Sequence, residues 1–160
     1  MSQSPWPAPA SGNVLFILDA SHKVDEQCLR NWLATEQAAA NYDGVVDSVV
    51  VPIARAPEHI PTQALARQLT ISPDTLIAPL RVVWSTSVDA KNSRPRLRDL
   101  VWGNPRRPGA ARARRVLKNN PERCMCIAAA PATLGELRER YAQRFGDTAT
   151  AAQLADFVAG

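Results

Sequence analysis

The sequence predicts a single α/β domain: a three-layer sandwich with a mostly parallel sheet of about four strands and flanking helices. Three observations lead there. The chain has 160 residues and is 46% hydrophobic, enough for one domain with its own core. Several apolar runs have strand length and show almost no alternation, as expected of strands buried on both faces. Segments with apolar residues at helical spacing separate these runs, and strand and helix alternate four times.

Residues 1–12 are rich in Pro, Ser and Ala and read as a disordered leader. The run 13–20 (NVLFILDA) is the first strand, ending in Asp19. Ser21 can cap the helix that follows, with Asp25 and Glu26 in the first turn, where the helix dipole favours negative charge. Val24, Cys28, Leu29, Trp32 and Leu33 recur at helical spacing as far as about Asn41. Asn41-Tyr42-Asp43-Gly44 supplies a turn, and 45–54 (VVDSVVVPIA) is the second strand. Pro52 marks that strand as an edge or as ending there. Pro61 can open a second helix that carries Leu65 and Leu69.

The third strand lies within 76–86, with its core at 80–84. Residues 87–108 have no apolar period and hold Pro95, Gly103, Pro105 and Pro108, so they read as a long loop, of a kind that is usually functional or mobile. A short helix over 109–120 presents Ala113, Val116 and Leu117, and Pro121 stops it. The run 124–130 is the fourth strand. Thr133-Leu134-Gly135-Glu136 matches a capping box and leads into Leu137, Tyr141 and Phe145 on one helix face. The domain spans 13–147, and 148–160 starts a helix or linker toward a missing downstream domain.

Bulk chemistry excludes several classes. No segment reaches the roughly 20 apolar residues that span a bilayer. The Pro-interrupted start is unlike a secretory signal. Cys28, Cys124 and Cys126 are too few for a disulfide framework and fit a reducing cytosol; they read as packed core thiols. No metal site is expected, since only His22 and His59 could join them. The turn after the first strand, Asp19-Ala20-Ser21-His22-Lys23, holds no glycine, and no phosphate-binding loop occurs. The layout is therefore Rossmann-like without a dinucleotide fingerprint, and no cofactor is expected.

Asp19, Ser21, His22 and Asp25 sit where α/β folds place ligands, the carboxyl end of a strand. A Ser/His/Asp hydrolase site is one reading of them, and a helix cap with a solvated first turn is the favoured one. Members of a triad normally converge from separate elements.

Net charge is +4, yet the segment 91–118 alone carries +9 and the remainder −5. Its basic residues are Lys91, Arg94, Arg96, Arg98, Arg106, Arg107, Arg112, Arg114, Arg115 and Lys118, against the single acid Asp99. Arginine forks grip phosphates and carboxylates, so Arg94, Arg96, Arg98, Arg106, Arg107, Arg112 and Arg115 are the candidate docking or anion-binding residues. Trp102 can anchor this loop to a core. Trp84, inside a strand, reads as core packing in preference to base stacking.

The stretches 80–86 (LRVVWST), 94–108 (RPRLRDLVWGNPRRP), 113–120 (ARRVLKNN) and 121–140 (PERCMCIAAAPATLGELRER) form one block. It resembles the amino-terminal region of bacterial PlsB-type glycerol-3-phosphate 1-O-acyltransferases, particularly the long actinobacterial form. The first strand and the 52–61 segment are similar to that region in order and spacing. The resemblance implies an enzyme of phospholipid synthesis at the cytoplasmic face of the cell membrane. Such enzymes move an acyl group from acyl-CoA or acyl-carrier protein to the sn-1 hydroxyl of glycerol 3-phosphate. Their His-x-x-x-x-Asp block, with His as general base, has no match: Asp25 follows His22 by three positions, and His59 has no acid in register. No catalytic residue carries over, and the chain is expected to be inactive alone. Partners implied are the downstream acyltransferase domain of the same polypeptide, ranked first, and an anionic lipid surface or an acyl-carrier protein. Nucleic acid is not expected; a stand-alone phosphate- or nucleic-acid-binding module is the alternative.

Overall fold

Five strands form one open sheet in the order β2-β1-β3-β4, with β5 also paired to β3, in a computed structural model. The residues described are 6–8, 12–52, 61–85 and 108–159. The elements are β1 (Asn13–Asp19), α1 (Lys23–Ala39), β2 (Val45–Val50), α2 (Gln63–Gln68), β3 (Leu76–Trp84), α3 (Ala110–Asn119), β4 (Cys124–Ala128), β5 (Ala132–Thr133), α4 (Leu134–Phe145) and α5 (Ala151–Ala159).

β1 is central because its residues 14–18 have no polar face. Val14, Phe16 and Leu18 pack with Ala78 and Leu80 beneath Leu29 and Leu33 of α1. Leu15 and Ile17 face the other way, with Val49 and Ile77, toward Leu65 of α2, Leu134 and Tyr141 of α4, and Leu154 of α5. Helices thus cover both faces of the sheet. Each fully buried large apolar side chain contributes about 1.5–3 kcal/mol.

β1 pairs in parallel with both β2 and β3, as the sequence predicts. β4 is different: it runs antiparallel to β3, with Trp84 opposite Cys124 and Leu80 opposite Ala128. The parallel order does not continue into β4 because α3 does not carry the chain back along the sheet. Its ten residues end in the 3₁₀ turn Pro121–Arg123, which delivers Cys124 beside the last residue of β3. From there the strand can only run backward. The short β5 is likewise antiparallel to β3.

Pro79 lies within β3, a position a ladder seldom tolerates. Its carbonyl accepts from Ala129 N at 2.8 Å, so its missing N–H faces the same side, where β4 gives way to β5. Pro52 follows the end of edge strand β2, in line with either reading of it.

Two terminal segments join the packed body. Trp6 is buried against Phe16, Trp32 and Tyr42, with ring centroids 5.2, 6.4 and 5.3 Å away. This falls in the stretch that composition marks as a leader. Leu154, Ala155 and Ala159 of α5 are buried in the same cluster as Leu15 and Ile17, although the sequence places 148–160 beyond the domain. Thr62, before α2, donates to the Asp156 carboxylate of α5. The Thr133–Glu136 capping box at the start of α4 is formed as expected.

Gly44 is fixed by a close approach. The Gly12 carbonyl accepts from Val45 N at 3.1 Å and from the Tyr42 hydroxyl at 3.0 Å, which draws it over Gly44. A Cβ there would overlap the Gly12 oxygen and the Tyr42 ring. Gly44→Ala should cost about 1–3 kcal/mol, read as a lower urea midpoint at unchanged m-value.

Candidate functional site

Ser21, His22 and Asp25 come together with Trp84 at the carboxyl ends of β1 and β3. His22, not Ser21, is the N-cap of α1. Its Nδ1 accepts from Asp25 N at 3.3 Å, which leaves the proton on Nε2. Nε2 then donates to the Pro108 carbonyl at 3.0 Å. Both ring nitrogens are thereby engaged, and neither is available to take a proton from a substrate hydroxyl.

Asp25 is only 6% exposed. Its Oδ1 accepts from Trp84 Nε1 at 3.2 Å, and Oδ2 accepts from Ser21 N at 3.2 Å. Oδ2 lies 3.6 Å from His22 Nδ1. The carboxylate faces a helix N-terminus, where negative charge is favoured. The favoured helix-cap reading of this cluster therefore holds, except that Asp25 is buried within a first turn whose Lys23 is exposed, and the cap is one residue later. No Ser/His/Asp relay is assembled.

The cluster also holds the chain on both sides of the arginine-rich loop. Trp84, just before it, hangs on Asp25; Pro108, just after it, hangs on His22. Arg123 adds a third clamp: its backbone oxygen accepts from Ser85 N, and its Nε donates to Ser85 O, both at 2.9 Å. The loop thus leaves and re-enters the body at one end of the sheet.

Of the seven candidate arginines, Arg112 and Arg115 lie on α3, half-buried and exposed respectively, and each is engaged in an interaction. Arg94, Arg96, Arg98, Arg106 and Arg107 lie outside the described residues, as do Lys91, Trp102 and His59. On the opposite face of the sheet from Asp25, Arg81 Nη2 donates to Asp19 Oδ2 at 3.0 Å, across paired positions of β3 and β1. Sequence reasoning passes over Arg81, although an arginine inside an apolar strand needs an acidic neighbour. It also treats Trp84 as core only, whereas a buried indole N–H requires an acceptor.

The three cysteines sit beside this site, all partly exposed. Cys124 and Cys126 share one face of β4, as expected, and that face meets Cys28 of α1. Burial, first of all, pushes the Cys124 thiol up to about 12 and the Cys126 thiol up to about 11, and raises Cys28 as well. A folded-state pKa above the unfolded one favours the protonated fold. That contribution is present in full below 9.0, the ordinary value, and is lost as pH rises from there toward about 12. The midpoint of thermal unfolding should fall over this window, and fall less in Cys124→Ala; equal slopes would contradict it.

Among the described residues, no group of His, Cys, Asp and Glu is suited to hold a metal, and no helix is long and apolar enough to cross a membrane. The chain matches no protein-family model, and no solved structure matches it at a significant level.

Proposed function

We propose that this chain is a non-catalytic, regulatory or architectural amino-terminal domain of a glycerol-3-phosphate acyltransferase. The observation that carries the reading is the block 80–140, which resembles that family's amino-terminal region and contains no His-x-x-x-x-Asp. The engagement of both His22 nitrogens supports the non-catalytic part. In this reading the parent enzyme transfers an acyl group from acyl-CoA or acyl-carrier protein to the sn-1 position, at the cytoplasmic face of the membrane. The parallel strands β2-β1-β3 and their helices are the Rossmann-like part of the layout.

The arginine-rich segment, anchored at Trp84 and Pro108, docks on the acyltransferase domain of the same polypeptide. Fork-shaped guanidinium groups suit fixed contacts to carboxylates there. Two measurements test the reading. Incubated with glycerol 3-phosphate and a long-chain acyl-CoA, the 160-residue chain should yield no lysophosphatidic acid; measurable product would overturn the non-catalytic assignment. Titrated against a PlsB-type acyltransferase domain, it should bind, and the pair Arg112→Glu and Arg115→Glu should weaken binding. Binding instead to RNA, with affinity falling steeply as salt rises, would replace docking by the phosphate-binding alternative.

A further inference from the structure

β4 is an edge of the sheet: among the described residues, β3 is its only strand partner. Arg123 O accepts from Ser85 N, and Ala129 N donates to Pro79 O, which sets the alternation of the ladder between them. The backbone groups of Met125 and Ile127 therefore turn toward β3, and those of Cys124, Cys126 and Ala128 turn outward. The strand, CMCIA, holds no charge and no proline to guard that side, whereas the other edge, β2, carries Asp47. Met125 is 48% exposed and Ile127 47%, two of the four large apolar side chains that the described residues expose. Both stand on the sheet face away from α1, beside Arg81 and the half-buried Val83 of β3.

We infer that β4 is a dimerisation edge: a second copy of this chain adds its own β4 antiparallel to the first, about a two-fold axis at Cys126. A second copy fits because the strand complements itself. Centred at Cys126, the pairing sets that residue against its own equivalent and Cys124 against Ala128 of the second copy, so every outward residue of β4 finds a partner. Each such pair exchanges two backbone hydrogen bonds. A register centred one residue to either side leaves an outward residue of each copy unpaired.

The same register places Met125 directly opposite Ile127 of the second copy, and the reverse, all on one sheet face. The apolar side chains that each copy exposes then shield those of the other, as cross-strand neighbours do. Both open edges are consumed, so assembly stops at two copies that share one continuous sheet. A pair of five-residue strands lies at or below the low end of the about 1,200–2,000 Å² that stable interfaces bury, so association is weak, with a Kd of about 10–100 μM. The inference stands apart from the acyltransferase reading, since it uses neither the arginine-rich segment nor its anchors.

The test is sedimentation equilibrium of the full chain, from about tenfold below to tenfold above that Kd. Monomers of 17.4 kDa should give way to a species of twice that mass. Over the same range, amide exchange followed by NMR should slow at Cys124, Cys126 and Ala128 and stay constant along β2. Ile127→Lys sets a charge in the apolar contact, and Ala128→Pro removes an outward donor that β3 does not use. Each should raise the Kd about tenfold or more while the amides of β3 keep their protection. A chain that stays monomeric throughout would leave the edge to some other strand and overturn the inference. A dimer in which those three amides exchange as fast as in the monomer, or assemblies that grow beyond two copies, would overturn it as well. Exchange in the wild-type chain decides the matter even where a variant folds poorly.

Discussion

Asp25→Ala is expected to destabilise the fold by about 3 kcal/mol, because it removes the acceptor from a buried indole N–H and from a backbone N–H together. Trp84 Nε1 and Ser21 N have Asp25 as their partner, at 3.2 Å each. Leaving a buried donor unpaired costs about 1–3 kcal/mol. Trp84→Phe removes the indole donor but keeps most of the ring. The two substitutions together should therefore cost less than the sum of each alone, by about 1–2 kcal/mol. Asp25→Asn retains one carbonyl acceptor and should fall between wild type and Asp25→Ala. Urea denaturation of the four proteins measures all of this. Strict additivity would mean that the Asp25–Trp84 bond contributes nothing. The effect also reaches the end of β3, since the Asp25 carboxylate holds Trp84 there.

Phe16→Ala is the other large effect. Phe16 is 0% exposed at the centre of β1, and it supports Trp6, whose indole in turn covers Tyr42 and Trp32. Truncating a buried Phe costs about 3–5 kcal/mol, transfer and cavity terms together. A domain of this size is stable by about 5–15 kcal/mol, so the loss takes a large share of the margin. The urea midpoint should drop accordingly, and Trp6 fluorescence should shift to the red as its packing partner disappears. A cost below about 1 kcal/mol would mean that Trp6 collapses into the space and that the aromatic cluster re-forms without Phe16.

Much of the layout is legible in the residues themselves. The unbroken apolar run 14–18 could only be a strand covered on both faces, and helices do cover both. The Thr133–Glu136 box marks the start of α4 because both hydrogen bonds are local, three residues apart. Lack of glycine after β1 and of a His-x-x-x-x-Asp block are equally plain. The candidate site was only half visible. Cys124 and Cys126 share a face by strand period alone, but nothing in the order of residues says that Cys28 comes to meet them. The sequence points to Ser21 as the cap, whereas His22 takes that place with its Nε2–H donated to the Pro108 carbonyl, a residue 86 positions away.

By itself, the sequence determined the four longer strands and the helices, though not the two-residue β5, which of their faces are apolar, and that the positive charge is confined to one stretch. These follow from local period, because a residue's preference for water or for the core repeats every two or about 3.6 positions whatever the rest of the chain does. Only the tertiary structure decided that β4 runs backward, that Asp25 serves Trp84, that His22 serves Pro108, and that three thiols share one corner. Those outcomes depend on where α3 sets the chain down and on which buried donors lie opposite which acceptors. Such pairings join residues dozens of positions apart, and no local pattern carries them.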